Sequence, residues 1–182
     1  MYTQLSRRVA LAACIALAPA TVLAAQPLSS QAMYEVGFSP RGDSLKLVLN
    51  AINSARASIL VAAYSFTSKP ISLALLEAHR RGLSIKVVAD EKSNRQAYSA
   101  ARFLANQGVP VRLNSRYAIH HHKFMVIDGE HLETGSFNYS AAAAEKNAEN
   151  VVVLWHVKPM AQQYAREWQR LWDEGDDLRA AY

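Results

Sequence analysis

Cysteine is all but missing: the 182 residues contain one, Cys14. It lies in an apolar N-terminal run, so a chain cleaved after that run holds none, and disulfide staples and thiolate chemistry are both excluded. No glycine-rich loop of the nucleotide-binding kind appears, nor any internal repeat or low-complexity tract. Long hydrophobic stretches are scarce. The uncharged run 9–24 contains Pro19 and is short for a membrane span. Metal-ligand spacing is missing too. His120, His121 and His122 are consecutive, and neighbours along a strand point to opposite faces, so the three cannot chelate one ion there. No metal or other cofactor is expected.

What is present begins at the N-terminus. Arg7 and Arg8 precede the apolar run, and Val22-Leu23-Ala24 closes it with the small residues of a cleavage site. That order describes a secretory signal peptide. Residues 1–24 are therefore expected to be removed, leaving residues 25–182 as a single domain, periplasmic or secreted, with no stable membrane association. A lipoprotein acylation site at Cys14 is the alternative, but only five apolar residues separate it from Arg8. Loss of Arg7 and Arg8 takes 20 Lys+Arg to 18 against 15 Asp+Glu, a net +3. Such a balance suits a nucleic-acid partner and an ordinary secreted protein equally.

Residues 26–41 read as polar and irregular, punctuated by Pro27 and Pro40. Leu45, Val48, Leu49 and Ile52 then mark one face of a helix over 45–55. A near-continuous apolar strand over 58–66 follows, then a helix over 71–81 stopped by Gly82, and a second buried strand over 83–89. A helix over 93–107, a strand over 109–113, a strand over 151–155 and an amphipathic helix over 159–172 complete the pattern. This alternation predicts an α/β fold: a mixed, largely parallel β-sheet flanked by helices on both faces.

The chemistry gathers in residues 120–140, HHHKFMVIDGEHLETGSFNYS. A strand over 119–127 would send His121 and Lys123 to one face and His120, His122 and Phe124 to the other. A neutral imidazole can attack phosphorus, and an ammonium beside it neutralises non-bridging phosphate oxygens. Asp128-Gly129 reads as a two-residue hairpin turn, and the return strand would bring Gly135-Ser136-Phe137-Asn138 beside His121. Ser136 and Asn138 offer small hydroxyl and amide donors for phosphate oxygens, although either could instead cap the Ala-rich segment that follows. His156-Val157-Lys158 repeats the H-x-K pair, but Gln163 stands where an aspartate would fall.

The full pattern, His121, Lys123, Asp128, Gly135, Ser136 and Asn138 in H-x-K-x4-D-x6-G-S-x-N, resembles the signature of the phospholipase D superfamily. The length and single motif copy resemble its small bacterial members, the EDTA-resistant endonucleases. That resemblance implies a phospholipase D-like α/β/α sandwich. It also implies metal-independent phosphodiester hydrolysis through a phosphohistidine at His121, with DNA as substrate and RNA as a second candidate. It further implies that Glu149, at the start of a strand, accepts a hydrogen bond from the His121 imidazole. Asp128 reads as structural support for its turn rather than as a proton carrier. The chemistry needs two imidazoles and the chain has one motif; larger relatives carry two copies. A homodimer with a shared active site is therefore expected. Phospholipid cleavage or headgroup transfer is the rival activity, and a non-catalytic nucleic-acid-binding module the rival of another class.

Overall fold

The computed structural model describes residues 24–181. The expected signal peptide lies outside the described residues but for Ala24. The first half of the chain runs β1 (Met33–Ser39), α1 (Ser44–Ser54), β2 (Ser58–Ala63), α2 (Lys69–Arg80), β3 (Ser84–Asp90), α3 (Glu91–Asn94), α4 (Ala100–Asn106) and β4 (Val111–Asn114). The second half runs β5 (Lys123–Ile127), β6 (His131–Gly135), α5 (Ala141–Glu145), β7 (Glu149–Trp155), α6 (Lys158–Asp173) and β8 (Asp176–Asp177). The strands form one sheet in the order β1-β7-β6-β5-β2-β3-β4-β8.

The sheet separates two apolar layers. On one face Leu47, Val48, Ala51 and Ile52 of α1 and Ile71 and Leu75 of α2 pack over Val61, Val87, Met125 and Val153. Ser68 starts α2, its hydroxyl accepting from Ile71 N at 3.5 Å, with Pro70 in the first turn where its missing N–H costs nothing. On the other face Trp168 and Leu171 of α6 pack with Val88, Phe124 and Val126. Trp168 also pins α6 to the sheet, its indole donating to Val61 O at 2.8 Å.

The sheet is mixed and flanked by helices as expected, but it is not largely parallel. Only β2–β3 and β3–β4 pair parallel; the other five pairings are antiparallel. Helical crossovers supply the parallel pairs, whereas the β5–β6 hairpin, the return through β7 and its pairing to β1 reverse direction. The helix expected over 93–107 breaks in two. Asn94 is fully buried, donates to Tyr64 O and Asp90 O, and accepts from Phe66 N, and Ser99 caps a fresh helix by accepting from Arg102 N. The segment read as irregular contains β1, an edge strand whose apolar Tyr34, Val36 and Phe38 stay exposed. The alternation of Tyr34, Val36 and Phe38 with Glu35, Gly37 and Ser39 was the signal available in the sequence.

The hairpin follows its sequence. Asp128 and Gly129 both take positive φ, +54° and +65°, as a two-residue turn of this kind requires. Asp128 lies at the opposite end of β5 from Lys123, and its carboxylate accepts from Arg56 N (3.0 Å), Ala57 N (2.8 Å) and Ser58 N (2.9 Å). Desolvation alone would raise its pKa, but the N–H donations from Ser58, Ala57 and Arg56 outweigh it and hold the carboxyl below its usual 3.8. Asp128 therefore clamps the hairpin to the start of β2 and does not belong to the reacting centre. Asp128→Ala should cost about 1–3 kcal/mol of stability, by removing a charged acceptor shared by three backbone N–H groups, and leave turnover per folded molecule unchanged. Because the folded pKa is depressed, this stabilisation is present above the usual carboxyl pKa and lost as pH falls through the lowered one. Thermal melts of both proteins should accordingly converge in acid.

Candidate active site

The catalytic candidates meet at one end of the sheet, where β2 and β6 finish and β5 and β7 begin. Ala63 pairs with Lys123 across β2–β5, and Gly135 with Val151 across β6–β7. The strand expected over 119–127 starts only at Lys123, because residues 119–122 have no ladder partner. Alternation nevertheless survives. His121 and Lys123 share the Tyr64 ring, at 4.6 Å between ring centroids for His121 and 5.1 Å from Nζ for Lys123. His120, His122 and Phe124 pack edge to face in series on the other side, with 5.6 Å between successive centroids.

Two buried side chains that sequence reasoning did not assign to the site hold this turn. Asp90, closing β3, accepts from His120 N at 2.9 Å with one oxygen and from Ser93 N at 2.8 Å with the other. Asn94 ties down Tyr64 and Phe66 through one hydrogen bond each and reaches Asp90 O with a third. Tyr64 thus faces the site, while Phe66 belongs to the core. A polar residue ending an apolar strand, as Asp90 does, was the available signal; nothing local marked Asn94. His120 is buried with neither ring nitrogen paired, and burial first, then the neighbouring His122, pushes its pKa down to about 4. It is a neutral packing group.

Lys123 Nζ donates to His121 O at 2.7 Å. Burial lowers its pKa, and the Glu149 carboxylate opposes that shift. Gly135 is required by contact, since a Cβ there would collide with the Asn150 carbonyl oxygen. That close approach lets Ser136 N donate to Asn150 O at 3.1 Å, and Ser136 Oγ donate to Glu149 at 2.6 Å. The second Glu149 oxygen accepts from Asn147 Nδ2 at 3.1 Å. The Glu149 carboxylate is thus engaged by Ser136 and Asn147 rather than by the His121 imidazole expected for it. Phe137 and Tyr139, on either side of Asn138, are buried, so the loop is anchored through alternate residues. The helix-capping alternative falls to Ser140, whose hydroxyl accepts from Ala143 N. Asn138 Oδ1 is buried without a partner.

A cavity of about 400 Å³ opens here, lined by His121, His122, Lys123 and Thr134 with Tyr164 and Glu167 of α6 among others. His122 Nε2 lies 3.5 Å from Glu167. Far from it, at the outer end of the hairpin, Glu130, His131 and His156 converge within 4.8 Å. Their atoms already pair: His156 N donates to His131 Nδ1 at 3.0 Å, and His156 Nδ1 meets Glu130 at 2.8 Å. The group is a clamp between β6 and β7.

Comparison with known proteins shows the family. The family profile described as "Cardiolipin synthase, PLD-like domain" covers residues 48–172. The chain belongs to the phospholipase D superfamily. Nuc from Salmonella typhimurium, a phospholipase D family member of known crystal structure, is 42% identical, with a TM-score of 0.80 over 82% of this chain and 100% of Nuc. NucT from Helicobacter pylori shares the fold at 24% identity and a TM-score of 0.72, over 81% of this chain and 100% of NucT. A phospholipase D of Rickettsia bellii is 34% identical over 72% of this chain and 65% of its own length. A mitochondrial cardiolipin hydrolase of Danio rerio is 33% identical over 69% of this chain and 57% of its own. The chain thus spans 65% or less of these two curated relatives.

For this superfamily member the Lys123–Glu149 relationship gives a signed expectation. Glu149→Gln removes the charge that holds the Lys123 pKa up, so that pKa should fall further. The Nζ titration, followed by NMR, should move to lower pH. An unmoved titration would mean that Lys123 does not sense Glu149.

Proposed function

We propose that the protein is a metal-independent phosphodiesterase, an endonuclease that hydrolyses DNA, with RNA as a second candidate substrate, through a phosphohistidine at His121. The observation that carries this reading is that His121 and Lys123 share the Tyr64 ring and line one cavity, with the Ser136-bound Glu149 carboxylate acting on the Lys123 charge. In the first step a ring nitrogen of His121 attacks phosphorus; the P–O bond to the leaving oxygen breaks as a general acid protonates it. In the second, water activated by that same group attacks phosphorus and the P–N bond breaks. Lys123 and Asn138 hold the non-bridging oxygens, and the ammonium supplies the positive charge that a metal supplies in other phosphodiesterases.

The proposed general acid is the His121 imidazole of a second copy of this chain, giving a homodimer with a shared site. Supporting this, α6 lies across β2 to β6 and leaves the β1–β7 end of its face open. Tyr34, Val36 and Phe38 stand exposed there, opposite Leu154, Val152 and Asn150. Thr134, the partner of Val152, already borders the cavity, so the open apolar surface runs up to the site. Within the chain the competitor is His122, which borders the same cavity. The N-terminal pattern supports action in the periplasm or outside the cell, and no helix among the described residues is long and apolar enough to cross a membrane.

Backbone-only contacts predict cleavage with little sequence preference. In excess EDTA the protein should nick supercoiled plasmid, release no headgroup from cardiolipin or phosphatidylcholine vesicles, and lose all turnover as His121→Ala. Headgroup release without nicking would install the lipid reading, and loss of activity in chelator with recovery on a divalent ion would remove the metal-free one. Full subunit exchange between equal amounts of wild type and His121→Ala leaves about a quarter of dimers with both histidines. Activity should fall to that fraction of pure wild type. A fall only to half, or a dead His122→Ala dimer, would return the acid to the same chain.

A further inference from the structure

Glu133 stands in the middle of β6, where an apolar residue would ordinarily sit. It is 1% exposed, between Met125 of β5 and Val153 of β7 in the sheet. One carboxyl oxygen accepts from Tyr139 Oη at 2.7 Å, and the other is buried with no partner. No ion pair reaches it among the described residues, and Tyr139 is the one titratable group that acts on it. The elements around it present Met125 and Ile127 from β5, Val151 and Val153 from β7, and Phe66 and Phe137 from the flanking loops to the same core. A carboxylate in such surroundings, with a single hydrogen bond, is far costlier than a carboxylic acid.

Tyr139 makes this pairing consequential. It is fully buried, follows Asn138, and lies edge-on to Phe66 at 5.8 Å. Its carbonyl oxygen accepts from both Thr67 N (2.9 Å) and Ser68 N (2.8 Å), which joins the Ser136–Asn138 loop to the start of α2. The Glu133–Tyr139 bond closes the loop on the strand that leads into it. Release of the Tyr139 ring would free the backbone that presents Asn138 and Ser136.

We propose that Glu133 is a positioning residue for the phosphate-holding loop, acting through Tyr139, and that it holds the loop only while its carboxyl is uncharged. The burial that creates this condition also raises the carboxyl pKa to about 8, with the Tyr139 hydrogen bond opposing. A group whose folded pKa is raised from 4.5 contributes stability that is complete below 4.5 and lost as pH rises, so that by about 8 the loop is held with least margin.

The inference rests on the phosphodiesterase reading for its kinetic arm, so the experiment carries a second arm without substrate. Amide hydrogen exchange at residues 136–139 and turnover of bis(p-nitrophenyl) phosphate are followed from pH 6.5 to 9.5 for wild type, Glu133→Gln and Tyr139→Phe. In wild type, exchange should climb more steeply than the tenfold per unit of base catalysis up to about pH 8 and by only that tenfold above it, where kcat falls with KM steady. Glu133→Gln, permanently neutral, should keep the loop protected across the range and move the alkaline fall in kcat upward. Tyr139→Phe, which removes only the hydroxyl, should lose protection at every pH and about tenfold or more in kcat, the scale of a displaced catalytic group. Loop exchange and pH profile of Glu133→Gln superimposable on wild type would overturn the proposal. Unchanged protection in Tyr139→Phe would overturn it equally, including where Glu133→Gln does not fold. A wild type that shows the exchange behaviour yet turns over no phosphodiester would leave the loop mechanism standing and sink the hydrolase reading alone.

Discussion

The ammonium of Lys123 is the group the rest of the site must accommodate. Its residue is only 7% exposed, and a cation withdrawn from water needs compensation nearby. Compensation comes from three directions: the His121 carbonyl oxygen, the face of Tyr64, and the charge of Glu149. Each of these depends on a different part of the chain. Tyr64 is held by Asn94, the His121 backbone by the Asp90 contact at its neighbour, and Glu149 by Ser136 and Asn147. A partly desolvated cation is also the more effective partner for phosphate, since less water separates charge from charge.

The same residues that present chemistry alternate with residues that build the core. Tyr64 faces the site and Phe66 is buried; Ser136 is exposed and Asn138 half-buried while Phe137 and Tyr139 are buried; His121 is exposed between buried His120 and the chain's turn into β5. Interleaving of this kind fixes a reactive side chain without a rigid loop of its own, because displacement of Asn138 requires extraction of two aromatic rings. It also explains how a small domain keeps a polar site at the end of its sheet, where irregular backbone is tolerated and ligands gather.

Both ends of the β5–β6 hairpin are clamped, by different chemistry. At the turn, Asp128 gathers three backbone N–H groups and Glu130 and His131 meet His156. At the site end, Ser136 closes onto Glu149 and Asn150. The signature aspartate therefore works at the end of the strand remote from His121. Its contribution is to the register that keeps Lys123 opposite Ala63.

By itself the sequence determined what depends on short range. The H-x-K-x4-D-x6-G-S-x-N spacing identified the family, strand alternation paired His121 with Lys123, and Asp128-Gly129 set the hairpin through the positive φ that turn demands. Helix caps such as Ser68 and the amphipathic face of α6 were equally local. Tertiary structure decided whatever rests on partners distant in the chain. It made β1 a strand by pairing it with β7, broke one helix around Asn94, and turned a sheet expected to be largely parallel into a mostly antiparallel one. It also gave Glu149 to Ser136 and Asn147, and drew Glu133 into the core beside Tyr139. Propensity and periodicity report on neighbours within a turn or a strand, whereas a buried polar group takes its meaning from whichever remote atom satisfies it.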